Sequence, residues 1–217
     1  MKDRVVNFSF HGIGTPRSGE EKVWLPVEFF RTVLDSIGES KRVRLSFDDG
    51  NTTDTGIVLP ELQKRNLKAT FFIVAGRIDS GGYLSRNDIC SLVSAGMTIG
   101  AHGMRHIRWR ALTDQSMHEE FFEAKRALEE VTGAPVNQVA CPHGEYDRKT
   151  LAGLRHAGFS RIYTSDGGYA AQSWFIQPRN SIWISSDIAQ IRSMINLESN
   201  YRNEMLRILK RFVKRYR

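Results

Sequence analysis

Short apolar segments and longer amphipathic segments alternate along the chain. The short segments, rich in β-branched and aromatic residues or alternating between polar and apolar residues, predict strands. They cover residues 5–10, 42–47, 69–74, 98–101, 136–141, 161–163 and 176–184. The segments between them have apolar residues at helical spacing and predict helices. These cover residues 26–37, 54–65, 85–96, 114–132, 147–157 and 186–217. Such an alternation predicts an α/β fold with parallel strands.

Polar and ionisable residues stand directly after four of the predicted strands. His11 follows the first strand, Asp48 and Asp49 follow the second, and His102 follows the fourth. A Pro-His-Gly loop at residues 142–144 follows the fifth. The carboxyl ends of parallel strands form the active-site face of α/β barrels. The pattern therefore predicts one site to which four strand ends contribute.

The basic charge of the chain is concentrated at its C-terminal end. The 217 residues carry a net charge of +7, and residues 202–217 hold seven Lys or Arg against one Glu, a net of +6. The rest of the chain is close to neutral, which argues against a general nucleic-acid-binding surface. We predict an α/β domain at residues 1–185 and a basic helical tail at residues 186–217.

Two features bear on the cellular compartment. No segment approaches the about 20 consecutive apolar residues that span a bilayer. The first residues include Lys2, Asp3 and Arg4, which is unlike a secretory signal, so we expect a cytoplasmic protein. Cys90 and Cys141 are too few for a disulfide framework and are predicted to be reduced.

Asp48, Asp49, His102 and His106 form the strongest chemical signal. Two histidines four residues apart can reach one metal ion if their segment is helical or tightly turned. An added carboxylate gives a site for Zn²⁺, with Co²⁺, Ni²⁺ or Mn²⁺ as alternatives, that leaves positions open for water and substrate. Taken singly, the two motifs have simpler explanations, a polar Asp-Gly turn and two unrelated surface histidines.

Three motifs together resemble those of the polysaccharide deacetylase family, also called the NodB-homology family. Residues 46–50 read SFDDG, where the family has (T/S)FDDG. Residues 102–106 read HGMRH, where the family has H(S/T)xxH, so Gly103 replaces the usual Ser or Thr. Residues 140–144 read ACPHG and are similar to the third motif, RPPYG or AYPYG. The resemblance implies a distorted (β/α) barrel over residues 1–185.

The same resemblance implies a metal-dependent hydrolase that removes N-acetyl groups from an amino-sugar-containing glycan or glycolipid precursor. Asp49, His102 and His106 would hold the metal, and Asp48 would be the general base that takes a proton from water. The backbone N–H of His143 would stabilise the oxyanion. Pro142 and Gly144 would support this loop.

One departure from the family concerns the general acid. Many members have a catalytic His late in the chain, but no His follows His156 here. A subgroup that is similar to a circular permutation has this His at the N-terminus, and His11 in the sequence SFHG matches it. The resemblance thus implies that His11 is the general acid. The alternative is a strand-end His with a structural hydrogen bond.

A second departure concerns the residue that orients the base. Ala140 stands where many members have Arg, and the Pro-Arg pair at residues 178–179 is similar to the pair that a subgroup with Ala uses instead. Arg179 either holds Asp48 in place or is an ordinary surface Arg. Trp183 is interpreted as a buried aromatic, with stacking on a sugar ring as the alternative.

Two other functions stay open on the sequence. One is hydrolysis of a non-sugar C–N bond, and the other is carbohydrate binding without catalysis. The tail is predicted to pack an apolar stripe on the barrel and to expose its basic face. Its alternative role is peripheral membrane contact, because basic amphipathic helices bind anionic lipid surfaces.

Overall fold

A computed structural model describes residues 3–198 and 212–214. The strands are β1 (Arg4–Phe10), β2 (Gly12–Ile13), β3 (Trp24–Leu25), β4 (Val43–Asp49), β5 (Ala69–Ile73), β6 (Thr98–Ala101), β7 (Gln138–Ala140), β8 (Arg161–Thr164), β9 (Tyr169–Ala171), β10 (Ile176–Pro178) and β11 (Asn180–Ser181). The α-helices are α1 (Val27–Ile37), α2 (Leu59–Lys64), α3 (Arg86–Ser94), α4 (Asp114–Met117), α5 (Ala124–Thr132), α6 (Arg148–His156) and α7 (Ile188–Ile195).

One parallel sheet curves into a nearly closed barrel. Its strand order is β10-β8-β7-β6-β5-β4-β1-β11, and all neighbours along this path are parallel. Only Arg179 separates β10 from β11, so a single chain segment pairs with β8 on one side and with β1 on the other. The strand β9 pairs antiparallel with β1. The predicted distorted (β/α) barrel is confirmed.

An apolar layer fills the space between the central strands and α1. It consists of Phe10, Phe30, Phe47 and Phe71, which have no exposed surface, and we call it the phenylalanine layer. Phe47 stacks on Phe10 and on Phe71 with ring centroids 5.1 Å apart in both pairs. Phe30 from α1 meets Phe10 and Phe47 edge-on. Such offset and edge-to-face pairs add to the free energy gained from burial.

The opposite face of β1 and β4 points into the barrel and carries polar side chains. Successive side chains of a strand point to opposite faces, so Ser46 and Asp48 point away from Phe47. Both are buried. Asn7 of β1 lies on this interior face and donates hydrogen bonds to the side chain of Gln177 and to the carbonyl of Pro178. The strands β1 and β4 thus contribute hydrogen-bonded polar side chains to the barrel interior, beside the buried apolar cluster of Phe72, Ala140 and Tyr163.

Two of the predicted helices show their sequence signals in the structure. Ser85 caps α3, and its side chain and that of Asp88 satisfy each other's backbone N–H groups in a capping box. The predicted helix at residues 114–132 comprises α4, a wide π-helical turn at His118–Glu123, and α5. It ends at Gly133, which has a left-handed φ of 64°.

The C-terminal region is described in two parts, residues 186–198 and residues 212–214. Helix α7 begins after Asp187, which caps it, and ends at Ile195. Leu197 then adopts a left-handed φ of 58°, which ends the helix. Residues 212–214 are helical, but residues 199–211 and 215–217 of the predicted basic tail lie outside the described residues, so the packing of the tail stays a prediction. Among the described helices, none combines the length and the apolar character needed to cross a membrane.

Candidate active site

The carboxyl ends of β4 and β6 bring four of the predicted site residues together. Asp48 and Asp49 end β4, and His102 directly follows β6. The Nε2 atom of His102 lies 3.8 Å from an oxygen of Asp48. The Nε2 atom of His106 lies 3.3 Å from an oxygen of Asp49. In the sheet, β5 lies between β4 and β6. The three strands are parallel, so their carboxyl ends meet at one edge and bring these side chains together.

Asp48 is buried and held by Arg179. Two guanidinium nitrogens donate to its two carboxylate oxygens over 2.6 and 2.8 Å, and Nη1 also donates to Ser46. Burial opposes ionisation of Asp48, but Arg179 and then His102 outweigh it and lower the pKa to about 2. Asp48 is therefore a carboxylate at neutral pH. The interpretation of Arg179 as an ordinary surface residue is wrong, because its side chain is buried.

Asp49, His102 and His106 form a group that fits a divalent metal ion. One potential ligand atom from each lies within 4.8 Å of the others. The Nδ1 atom of His102 lies 2.8 Å from the carbonyl oxygen of Ala140, and donation to this carbonyl leaves Nε2 with its lone pair for a ligand. A carboxylate and two imidazoles suit Zn²⁺ and related divalent ions.

Two of the three metal-site residues have unusual backbone conformations. The φ angles of Asp49 and His106 are 77° and 59°, in the left-handed region. This region costs a residue other than Gly about 1–2 kcal/mol. Strain of this kind is concentrated at functional sites. Residues 102–106 are thus tightly turned rather than helical, one of the two conformations that the spacing allowed.

Both imidazoles are set to be neutral at physiological pH. Burial lowers the pKa of His102 despite the nearby charge of Asp48. Burial, and secondly electrostatic repulsion by His102, lower the pKa of His106 to about 4. Neutral imidazole is the form that binds metal ions. The local environment therefore favours metal binding without a prior deprotonation step near pH 7.

Sequence reasoning missed Glu120, which organises the segment between the two histidines. Its buried carboxylate accepts hydrogen bonds from the backbone N–H groups of Met104 and Arg105 and from the indole of Trp109, each over 3.1–3.2 Å. A Cβ atom at Gly103 would lie only 2.3 Å from this carboxylate, so the Gly that replaces Ser or Thr makes room for it. One feature of the sequence could have indicated that Glu120 is buried. It lies four residues before Ala124, on the apolar stripe of the predicted helix.

His11 lies at the end of β1, beside the same rim. Its Nδ1 atom is buried and has no hydrogen-bond partner among the described residues. Its ring stacks on that of Trp183, with centroids 5.4 Å apart and planes 19° from parallel. Trp183 is 37% exposed, so its interpretation as a buried aromatic is wrong. The partly exposed indole of Trp183 is available to a ligand that stacks on an aromatic ring.

The loop Pro142–Gly144 closes another side of the site. His143 and Gly144 have left-handed φ angles of 56° and 63°. The ring of His143 lies 4.6 Å from that of His106, and its Nε2 lies 3.3 Å from the carbonyl oxygen of His106. Lys214 donates to the carbonyl of Gly144 over 3.1 Å, so a residue of the C-terminal segment contacts this loop.

A family match covers this site. Residues 35–162 match the family model described as polysaccharide deacetylase. The match spans more than half of the chain and includes Asp48, Asp49, His102 and His106. The chain belongs to the polysaccharide deacetylase family. Polysaccharide deacetylases of this family are metal-dependent in general, and Asp49, His102 and His106 form the candidate metal site of this member.

Individual members of the polysaccharide deacetylase family are distant from this chain. YxkH of Bacillus subtilis is 25% identical over 138 residues, which are 64% of this chain and 50% of YxkH. The peptidoglycan-N-acetylglucosamine deacetylase PgdA of Listeria monocytogenes is 24% identical over 133 residues, 61% of this chain and 28% of PgdA. The matched part of this chain thus corresponds to 50% of the length of YxkH and to 28% of the length of PgdA.

A solved structure of a family member shows the same fold. The polysaccharide deacetylase from Bacillus cereus superposes with a TM-score of 0.80 over 88% of this chain and 69% of that one, at 20% identity. The likeness extends beyond the residues matched by the family model, because 88% of the chain is more than residues 35–162. At this identity it establishes the barrel and not the chemistry.

Proposed function

We propose that the chain is a metal-dependent deacetylase that hydrolyses N-acetyl groups of an amino-sugar-containing glycan or glycolipid precursor. The observation that carries this proposal is the placement of Asp48, ionised and held by Arg179, beside the metal-binding group of Asp49, His102 and His106. Two adjacent carboxylates thereby have different tasks. One belongs to the ion-binding group, while the other is available to accept a proton.

The reaction divides among the residues of the site. Asp49, His102 and His106 would hold a divalent ion, whose Lewis-acid chemistry would acidify water and polarise the acetyl carbonyl. Asp48 accepts a proton as the water oxygen attacks the carbonyl carbon. The bidentate contact with Arg179 keeps the Asp48 carboxylate oriented and ionised before this transfer. The backbone N–H of His143 is proposed to stabilise the oxyanion.

Breakage of the C–N bond requires a proton for the departing amine. We assign this proton to His11, which the unpartnered Nδ1 atom and the position beside the rim support. The products are acetate and the free amino sugar. Pro142 and Gly144 hold His143 next to His106, and the exposed face of Trp183 offers a platform for a sugar ring.

The family and a named relative support the proposed substrate class. PgdA carries a name that specifies the N-acetylglucosamine of peptidoglycan, a polymer of N-acetylated amino sugars. We extend to this chain only the shared chemistry, an N-acetylated amino sugar. Zn²⁺ is the proposed ion, with Co²⁺, Ni²⁺ and Mn²⁺ as the ions to compare.

Acetate release tests the proposal directly. The purified protein, loaded with each divalent ion, would be incubated with free, polymeric, nucleotide-linked and lipid-linked N-acetylated sugars. We expect acetate from at least one of them, and no acetate from the Asp48→Asn variant with its metal content unchanged. Bound metal with no acetate from any N-acetylated sugar would contradict the proposal. It would favour hydrolysis of a non-sugar amide or carbohydrate binding without catalysis.

The cytoplasmic location and the membrane contact of the basic tail stay predictions. Removal of the residues after 200 takes away most of the basic charge of the chain. We expect this truncation to weaken binding to anionic liposomes. Unchanged binding would remove the membrane hypothesis, while cell fractionation tests the compartment.

A further inference from the structure

Two arginines and a tyrosine stand together next to the candidate metal site. The guanidinium groups of Arg17 and Arg77 lie over the ring of Tyr83, at 4.3 and 4.9 Å from its centroid. Each arginine side chain is 31% exposed. We call this group the arginine bracket. Arg77 connects it to the metal site, because its Nη1 atom lies 3.4 Å from an oxygen of Asp49.

The bracket is fixed to the strand end that carries Asp49. The backbone N–H of Leu84 donates to the carbonyl of Gly50, and that of Thr52 donates to the carbonyl of Gly82. Tyr83 also pairs with Asn51 in an isolated β-bridge. These backbone contacts hold the Tyr83 ring at a set position relative to the site, so the two guanidinium groups rest on a platform that is already in place.

The positive charge of the bracket is incompletely compensated among the described residues. Arg77 has Asp49 as its one carboxylate partner there, and under the proposed function Asp49 binds the metal ion. Arg17 contacts Glu20 through Nε at 3.4 Å, and Glu20 also accepts a hydrogen bond from the indole of Trp24. The terminal nitrogens of Arg17 have no carboxylate partner in the described part of the chain.

Small residues leave the bracket accessible. The Nη1 atom of Arg17 lies 3.7 Å from the position of a Cβ atom at Gly82, and the position of a Cβ atom at Gly81 has no neighbour within 4 Å. An anionic ligand can therefore approach the guanidinium group without displacing a side chain at these two residues. Guanidinium groups bind phosphate and carboxylate through paired N–H donors.

We propose that the arginine bracket of Arg17, Tyr83 and Arg77 binds an anionic group, phosphate or carboxylate, on the amino-sugar substrate. This inference rests on the proposed function. Arg179 already pairs with Asp48 inside the barrel, whereas the bracket places two further guanidinium groups at the outer rim beside Asp49, where they would attract an anionic substituent of the substrate. The substrate class is thereby narrowed from an N-acetylated amino sugar to one that carries an anionic substituent.

Binding measurements test the bracket without relying on turnover. Zinc-loaded protein with Asp48→Asn, which prevents hydrolysis, would be titrated calorimetrically with three probes: N-acetylglucosamine, N-acetylglucosamine 1-phosphate and N-acetylmuramic acid. We expect one of the two anionic probes to bind more tightly than the neutral sugar. Which of them does so identifies phosphate or carboxylate as the recognised group. Equal affinity for all three would overturn the proposal.

A pair of charge-matched variants separates a specific contact from general attraction. Arg17→Gln removes one guanidinium group of the bracket without touching Asp49. Arg86→Gln removes the same charge from an exposed residue that pairs with Asp79 outside the bracket. We expect the preference for the anionic probe to fall about tenfold in Arg17→Gln and to persist in Arg86→Gln.

The two possible failures are distinguishable. An equal loss of preference in both variants, or no loss in Arg17→Gln, would overturn the bracket. Acetate release from the neutral and anionic sugars by protein with native Asp48 is measured in parallel. Absence of acetate from all of them counts against the proposed deacetylase function, whereas the binding comparison still decides whether the bracket recognises an anion.

Discussion

The two faces of β4 differ in chemistry although they alternate residue by residue. Phe47 belongs to the phenylalanine layer, while its neighbours Ser46 and Asp48 point into the polar barrel interior. Burial is equally complete on both faces, but one face is held by apolar contacts and the other by charge and hydrogen bonds. One strand thus contributes to stability through one face and to the proposed chemistry through the other.

Loss of the candidate metal-binding carboxylate at the end of β4, Asp49, should have the largest effect on activity. We expect Asp49→Ala to lose the metal and to reduce acetate release by at least about three orders of magnitude, because the Lewis acid and its water are lost together. Metal analysis after dialysis and acetate assays measure both. Asp35→Ala, an exposed carboxylate on α1, is the matched control. Metal retained in Asp49→Ala would remove Asp49 from the ligand set.

The pH dependence of stability should distinguish the two faces. We expect Phe47→Ala to lower the free energy of unfolding by about 3–5 kcal/mol at every pH at which the protein folds. Arg179→Met leaves Asp48 buried without its partner, which costs about 3–5 kcal/mol near pH 7. Denaturant unfolding across pH measures both values.

The sign of the second effect follows from the pKa of Asp48. In the folded protein, Arg179 holds this pKa at about 2, below the ordinary Asp value of 3.8. The stabilisation is therefore present above pH 4 and is lost as the pH falls from about 4 to about 2. The difference between native protein and Arg179→Met should shrink over that range, whereas the effect of Phe47→Ala should not change. A constant difference for Arg179→Met would contradict the assignment.

Removal of the proposed general acid should slow the reaction without loss of metal. We expect His11→Ala to reduce kcat by about 100-fold or more, the usual range for general acid catalysis. The exposed His118, which pairs with Glu123, gives the control His118→Ala. An unchanged rate in His11→Ala would show that another group protonates the amine.

The smallest effect concerns the residue that orders the loop between the metal-site histidines. We expect Glu120→Gln to weaken zinc affinity about 10- to 100-fold, as is typical of residues that orient metal ligands. Zinc titration against a chelator measures this, and Co²⁺ absorption spectra report any change in the ligand geometry. Glu119→Gln, on the neighbouring residue that pairs with Arg105, is the control. Equal affinities in both variants would leave Glu120 without a role at the metal.

The sequence predicted those features that depend on local pattern. The alternation of strand-like and helix-like segments predicted the parallel strands, and the placement of polar residues after four of them predicted the grouping at one rim. The barrel was predicted from the resemblance to the polysaccharide deacetylase family. The contact between Arg179 and Asp48 could be raised only as one of two alternatives, because it joins residues 131 positions apart. Glu120 was missed, since a charged residue on an apolar stripe gives no indication of the backbone N–H groups it will meet.

The single segment that closes the barrel also carries Arg179. Its strands β10 and β11 complete the sheet between β8 and β1, and the residue between them neutralises Asp48. Docking of this segment therefore completes the sheet and places Arg179 against Asp48 in one step. A folding intermediate in which residues 176–181 have not docked has an open sheet edge and a buried carboxylate without its partner. Such an intermediate would be inactive as well as prone to aggregation, so activity itself reports that the barrel has closed.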